Sequence, residues 1–192
     1  MVKIVDATSI GQVRQTNQDY VQIFENKKKI KLAIVADGMG GHQAGDIASS
    51  MAVKHLGHAF VETDFKTLSQ AKKWLQLNLN VENEKIIQAS DRFNDLKGMG
   101  TTVVLAVVFA HEALFAHLGD SRAYLLRQGT LRQITEDHSL VNELLKAGEI
   151  TPTEAMNHPQ KNIITQTLGV SRQIEPEYNQ LGILSDDLLL LC

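Results

Sequence analysis

The spacing of apolar residues along the first forty positions predicts strands. Residues 2–9 and 19–25 have strand-like composition, and the segment from Ile30 to Asp37 is apolar without interruption from Leu32 to Ala36. A short continuous apolar run that ends at a glycine turn is typical of a strand that is buried on both faces.

Two long helices are predicted to follow. The apolar face of the first is built at spacings of three and four by Ala44, Ile47, Ala48, Met51, His55 and Ala59. The second is predicted from Lys66 to about Ala89, with inward positions at Leu68, Ala71, Leu75 and Leu79. Such spacings place the apolar residues on one side of a helix.

The middle and end of the chain predict mainly antiparallel strands. They are expected at residues 101–110, 113–119, 121–127, 131–135, 173–180 and 186–192. Gln128-Gly129 fits a hairpin turn, residues 138–147 predict a short helix, and residues 148–162 are polar. This order of elements indicates an α+β fold with two stacked sheets, rather than alternating βαβ units.

Composition narrows the class of protein. The 192 residues suit a single domain, 43% are hydrophobic and 21% are charged, and the net charge is −3. Without a basic face, nucleic-acid binding is not expected, and no apolar run is long enough for a membrane span. The only cysteine is Cys192 and the N-terminus lacks a signal-peptide pattern, so we expect a cytoplasmic protein.

The last residues form an apolar run, Leu188 to Leu191, without a polar end or a turn. Chain termini normally lie at the surface of a domain. We therefore expect that the chain stops before the natural end of its domain.

An aspartate follows the predicted buried strand directly, in the stretch Val35-Ala36-Asp37-Gly38-Met39-Gly40-Gly41-His42. A carboxylate at a strand end is held rigidly, and glycines let the backbone approach a ligand closely. Mg2+ and Mn2+ prefer such oxygen ligands. Taken alone, the stretch fits a turn capped by an aspartate equally well.

Two further polar stretches are candidates for the same chemistry. Arg14 could bind a phosphate through paired donors, and Asp19 could join a metal site, although both also fit a surface loop. Asp120 lies in a Gly-Asp-Ser sequence that also suits a β-turn. A serine esterase is disfavoured because Ser121 is predicted between two strands, not at a strand-to-helix elbow. The seven histidines are interpreted as mostly structural.

Together, these stretches resemble the signature of the metal-dependent Ser/Thr protein phosphatases of type 2C, in their bacterial branch. The resemblance covers essentially the whole chain. It rests on Arg14, Asn17-Gln18-Asp19, Val35 to His42, Gly98-Met99-Gly100-Thr101-Thr102, Gly119 to Tyr124, Thr135 to Ser139 and Gln166 to Gly169.

The resemblance implies a four-layer α-β-β-α sandwich with two stacked antiparallel sheets, and a centre of two or three Mn2+ or Mg2+ ions. Asp37 would bridge two ions, the Gly38 carbonyl would bind one, Asp19 would act through water and Asp120 would hold a third. Arg14 would bind the substrate phosphate. Residues 147–165 would form a mobile flap beside the site.

The reaction that the resemblance implies is direct hydrolysis of phosphoserine and phosphothreonine in proteins by a metal-bridging hydroxide. The substrates would be phosphoproteins of a matching bacterial Ser/Thr kinase. Three departures stand out: Gln18 replaces a common Glu, Met39 replaces the His of animal members, and two later Asp ligands of the family lie beyond Cys192.

Two other functions remain open at this point. A non-catalytic binding module with the same fold would agree with Gln18 and the missing ligands, and this truncated chain could be inactive. A phosphodiesterase or nucleotide hydrolase could use the same metals, and only a comparison of substrates would separate it from a phosphatase.

Overall fold

The structure, a computed structural model, describes residues 2–41 and 44–192. Its elements, in chain order, are β1 (Asp19–Glu25), β2 (Lys31–Met39), α1 (Ala44–Val61), α2 (Leu68–Arg92), a 3-10 turn (Asn94–Leu96), β3 (Gly100–Thr101), β4 (Val103–Val108), β5 (Glu112–Leu118), β6 (Ala123–Arg127), β7 (Thr130–Gln133), α3 (Leu140–Lys146), α4 (Pro152–Met156), β8 (Glu177–Gly182) and β9 (Leu188–Leu191). None of the described helices is long and apolar enough to span a bilayer.

The described strands form two antiparallel sheets, which confirms the predicted α+β class. The larger sheet has the order β1-β2-β4-β5-β8, with β3 paired to the end of β2. The smaller sheet has the order β7-β6-β9. The hairpin between β6 and β7 turns at Gln128 and Gly129, both with positive φ, as the sequence predicts.

The larger sheet separates two apolar clusters. On its helical side, Leu32 and Ile34 of β2 and Leu105 of β4 pack with α1 and α2, and all three are fully buried. On its other side, Val104 and Phe115 pack toward the smaller sheet, where Leu189 and Leu191 of β9 lie against them. The alternation along β4 thus joins a helix layer to one face and a second sheet to the other.

Helix α2 matches its prediction closely, whereas the buried face of α1 differs from it. Ala71, Leu75 and Leu79 of α2 are fully buried. In α1 the sheet contacts Ala48, Ala52, Leu56 and Phe60, a row at spacing four. Ile47 and Met51 are only half-buried and His55 and Ala59 are exposed, because small alanines let α1 lie close to β2 and shift the contact face by one position.

Two strand predictions are wrong in part. Residues 2–9 form no strand: they are mostly exposed and have no ladder partner among the described residues, so strand-like composition alone did not decide their structure. Strand β2 is fully buried only on its helical face, since Ala33 and Val35 on the other face are half-buried. The polar segment after α3 also contains a helix, α4, which Thr151 and Glu154 start with a capping box.

Candidate functional site

Two aspartates face each other at the end of the β1–β2 hairpin. Asp19, the first residue of β1, is the direct cross-strand partner of Asp37 in β2. Directly opposite residues in an antiparallel pair project to the same side, and like charges in that arrangement repel each other. The hairpin therefore places the Asp19 carboxylate where its charge disfavours the ionisation of Asp37.

The electrostatics of Asp37 connect four of the residues that the sequence singled out. Partial burial, the charge and hydrogen bond of Asp19, and the charge of Asp120 raise the pKa of Asp37 to about 6, while Arg14 acts in the opposite direction. The structure thus brings Arg14, Asp19, Asp37 and Asp120 together at one place. Their roles as ligands and as a phosphate contact stay predictions.

Two clefts meet at the aspartate pair. The smaller, of about 340 Å3, is lined by Arg14 and Gly38 together with Asp19 and Asp37. The larger, of about 740 Å3, runs between the two sheets and is lined by both aspartates and by Asp120. Arg14 and Asp120 thus lie on opposite sides of the same two carboxylates, so a ligand in the smaller cleft would contact the guanidinium and the carboxylates together.

Gly38 lies where the backbone of β2 meets the first turn of α1. A Cβ atom on Gly38 would lie 2.0 Å from the carbonyl oxygen of Gly45, and one on Gly45 would lie 2.8 Å from the Gly38 carbonyl carbon. The Gly38 N–H donates to the Gln18 carbonyl oxygen at 3.0 Å. Only glycines permit this approach, which fixes the backbone beside Asp37.

The backbone of Asp37 is held from the neighbouring strand by two threonines. The Thr102 N–H and the Thr101 hydroxyl both donate to the Asp37 carbonyl oxygen at 2.9 Å. The Asp37 N–H donates to Thr102 Oγ1 at 3.0 Å. Sequence reasoning quoted these threonines within a motif but assigned them no role, because cross-strand contacts over more than sixty positions leave no local signal.

The turn that carries Asp120 packs against Thr102. Gly119 has a φ of +102°, and a Cβ there would lie 2.6 Å from Thr102 Cγ2. On the other side of Asp120, Ser121 Oγ lies 2.7 Å from Thr102 Oγ1. Arg122, next in the motif, pairs with Asp137 and is not a phosphate contact. The Asp137 carboxylate accepts from Arg122 Nε at 2.7 Å and from Nη2 at 2.5 Å, which raises the pKa of Arg122. This ion pair links Arg122, just before β6, to the loop that precedes α3.

Two histidines and a glutamate, which sequence reasoning left ungrouped, lie together behind the Asp120 turn. The buried His117 contacts the Glu136 carbonyl oxygen through Nε2 at 2.7 Å, its ring stacks on His138 with centroids 4.6 Å apart, and Glu177 lies 3.7 Å from His138 Nε2. These three residues form the group in the described chain that could hold a metal ion. Stacked rings direct their in-plane lone pairs side by side, however, and burial lowers the pKa of His138, which agrees with a neutral His138 that packs on the His117 ring.

The predicted flap, residues 147–165, ends beside the site. The Thr165 N–H donates to the His138 carbonyl oxygen at 2.9 Å, and Ser139 pairs with Ile164 in an isolated bridge. Ile164 lines the smaller cleft, as Met39 does. That residues 147–165 act as a mobile flap stays a prediction.

Two of the departures noted in the sequence lie at the same cleft. Gln18 and Met39 both line the smaller cleft, so each is placed to affect the site. His42, the last residue of the Asp37 stretch, lies outside the described residues.

Comparison with known sequences gives a consistent result. A family model described as "Protein phosphatase 2C" matches residues 8–186. A "Putative protein phosphatase 2C-type" of Streptococcus pyogenes is 48% identical over 190 residues, which are 99% of this chain and 77% of that protein. "Protein phosphatase PhpP" of Streptococcus pneumoniae is 48% identical over 184 residues, which are 96% of this chain and 74% of that protein.

Solved structures give the same likeness. A serine/threonine phosphatase of S. agalactiae superimposes with a TM-score of 0.93 at 47% identity, over 96% of this chain and 76% of that one. The Mycobacterium tuberculosis serine/threonine phosphatase PstP/Ppp gives a TM-score of 0.78 at 35% identity, over 94% and 73% of the two chains. The chain thus spans about three-quarters of the length of these relatives.

Proposed function

The chain belongs to the protein phosphatase 2C family and is a Ser/Thr protein phosphatase, and we propose that it hydrolyses phosphoserine and phosphothreonine at the centre formed by Asp19, Asp37 and Asp120. The observation that carries this proposal is the direct pairing of Asp19 with Asp37, beside a cleft that also contains Arg14. The pairing places negative charge for cations next to positive charge for a phosphate.

The donor set fits divalent ions such as Mg2+ or Mn2+. Carboxylate and carbonyl oxygens are the ligands that these ions prefer. Burial, and after it the nearby charges of Asp19 and Asp120, raise the pKa of Asp37, and bound cations would oppose these effects by favouring the ionised carboxylate. We propose that Asp37 contacts two ions, that the Gly38 carbonyl contacts one, that Asp19 acts through water and that Asp120 holds a third.

The chemistry divides between the ions and Arg14. When bound, the ions lower the pKa of water toward about 7 and so supply hydroxide for attack on phosphorus. Arg14 lines the cleft, is exposed, and forms no ion pair within 4.0 Å among the described residues. Its guanidinium is therefore available to bind two phosphoryl oxygens and to neutralise their charge.

We attribute the choice of substrate to residues at the rim of the smaller cleft. Ile164 and Met39 form an apolar wall beside Arg14. We propose that this wall and the flap contact the peptide around the phosphorylated residue, and that the substrates are phosphoproteins of a matching bacterial Ser/Thr kinase. The single exposed cysteine agrees with a location in the cytoplasm.

The test is Mn2+-dependent release of phosphate from a phosphothreonine peptide. The 192-residue chain is compared with the product of its gene made through the natural stop codon, so that any residues after Cys192 are included. Asp37→Asn should remove activity, because it removes one of the two carboxylates that line both clefts, the one proposed to contact two ions. Arg14→Lys should raise KM for the peptide more than it lowers kcat, because lysine replaces a fork of donors by one point charge.

Matched controls keep this test specific. Asp64→Asn changes an exposed loop carboxylate, and Arg132→Lys changes an exposed arginine of β7. Both should leave the rate unchanged. Phosphate release that survives Asp37→Asn, or that is equal in EDTA, contradicts the proposal.

The non-catalytic alternative has less support. The relatives are named phosphatases, and this chain retains the arginine and the three aspartates of the proposed centre. Hydrolysis of a phosphodiester or a nucleotide at a rate comparable to the phosphopeptide would instead favour the broader hydrolase.

A further inference from the structure

Thr102 lies between Asp37 and the turn that carries Asp120. It is 1% exposed and follows the short strand β3. Its backbone N–H donates to the Asp37 carbonyl oxygen, and its hydroxyl accepts the Asp37 N–H. Both main-chain polar groups of Asp37 are thus tied to one neighbouring residue.

The same side chain reaches the Asp120 turn from both sides. Its hydroxyl lies 2.7 Å from Ser121 Oγ, and its methyl group occupies the space that the missing side chain of Gly119 leaves open. The hydroxyl of Thr102 therefore makes two hydrogen bonds, since it accepts from the Asp37 N–H and shares a second bond with the Ser121 hydroxyl. Ser121 is itself 8% exposed, so this bond is shielded from water.

These contacts of Thr102 resist a movement of Asp37 and Asp120 relative to each other. Asp37 and Asp120 line the same cleft, and two carboxylates that face one cleft repel each other. Asp37 in β2 and Asp120 in its turn will move apart unless the backbone resists, and such a movement changes the spacing of the neighbouring cation sites that they would form. Buried hydroxyl hydrogen bonds supply this resistance.

We propose that Thr102 is a positioning residue that fixes the separation of Asp37 and Asp120, with the Ser121 hydroxyl as its link to the turn that carries Asp120. This inference rests on the proposed metal centre. It assigns to Thr102 no contact with substrate. It acts through the Asp37 backbone and the Asp120 turn.

The test compares Mn2+ affinity, measured by isothermal titration calorimetry, with thermal unfolding in EDTA, using the protein made through its natural stop codon. Thr102→Val keeps the shape of the side chain and removes the hydroxyl. It should weaken Mn2+ binding by about 10- to 100-fold, the usual effect of losing a group that orients a ligand. Thr102→Ser should restore most of the affinity, and Ser121→Ala should cause a smaller loss than Thr102→Val.

Thr135→Val is the matched control. Thr135 is also buried, at 5% exposed, and its hydroxyl accepts the Ala123 N–H at 3.0 Å. It should lower the unfolding temperature as Thr102→Val does, yet leave Mn2+ affinity unchanged. Equal losses of affinity in the two variants would show general destabilisation and overturn the inference.

The remaining outcomes separate this inference from the proposed function. If wild-type protein binds Mn2+ and Thr102→Val binds it equally well, the positioning role is wrong and the metal centre stands. If wild-type protein binds no Mn2+ or Mg2+, the metal centre falls and the positioning role falls with it.

Discussion

The carboxylate pair should make the metal-free protein less stable at neutral pH than at acidic pH. The pKa of Asp37 is raised from its ordinary 3.8 to about 6, so the folded state binds this proton more tightly than the unfolded state does. The resulting cost is absent below pH 4, grows between pH 4 and 6, and is complete above pH 6. We therefore predict that Asp37→Asn, which mimics the protonated side chain, stabilises the metal-free protein at pH 8.

The magnitude follows from the shift. About two pKa units correspond to about 3 kcal/mol in a fully enclosed site. Asp37 is exposed to solvent on one side, so screening reduces this figure to about 1 kcal/mol. Asp37→Asn should thus raise the free energy of unfolding by about 1 kcal/mol at pH 8 and leave it nearly unchanged at pH 4.

The assay is urea denaturation in EDTA at both pH values, for the wild type, Asp37→Asn and the loop control Asp64→Asn. Because each variant is compared with wild type at the same pH, other titrating groups cancel. A free-energy difference for Asp37→Asn that is the same at pH 4 and pH 8 would refute the reasoning. A gain in Asp64→Asn of equal size would assign the effect to net charge.

Other predictions concern the frame around the site, and each is measured by urea or thermal unfolding. Leu79→Ala should cost about 2–5 kcal/mol, because Leu79 is fully buried, whereas Leu77→Ala on the exposed side of α2 should cost less than about 0.5 kcal/mol; equal costs would contradict the assigned face. Gly57→Ala should cost about 1–3 kcal/mol net, because its Cβ would lie 1.9 Å from Cζ of the buried Phe24, and an unchanged unfolding midpoint would show that the ring can move aside. Asn83→Ala should cost about 1–3 kcal/mol of unfolding free energy, because this buried side chain accepts from the Gly169 N–H and donates to the Ser171 carbonyl oxygen. A cost near zero would mean that water replaces the amide in these two hydrogen bonds.

The accuracy of the sequence predictions follows the range of the interactions that decide each element. Helix α2 follows from local periodicity, and its inward residues were predicted correctly. The face of α1 was predicted only in part: Ala44 and Ala48 are buried as expected, but close packing on β2 buries Ala52 in place of the larger Ile47. Residues 2–9 lack a strand because a strand needs a partner as well as composition.

The same contrast between local and long-range signals applies to the residues of the site. Asp37 was recognisable because it ends an apolar strand, and Asp120 because it follows a glycine. Their convergence was expected only from resemblance to a family. The role of Thr102 was not predicted at all, because its contacts join residues 65 and 19 positions apart and leave no periodic signal.

The β1–β2 hairpin also bears on the order of folding. Asp19 and Asp37 belong to one hairpin that closes at the Asn26–Ile30 turn, where Asn26 Oδ1 accepts from the N–H groups of Lys28 and Ile30. Hairpins form within microseconds, whereas the contact with Asp120 must close a far longer loop. The two carboxylates therefore come together when this hairpin pairs, before the loop to Asp120 closes, and we expect divalent ions to change the rate of folding as well as the stability of the folded chain.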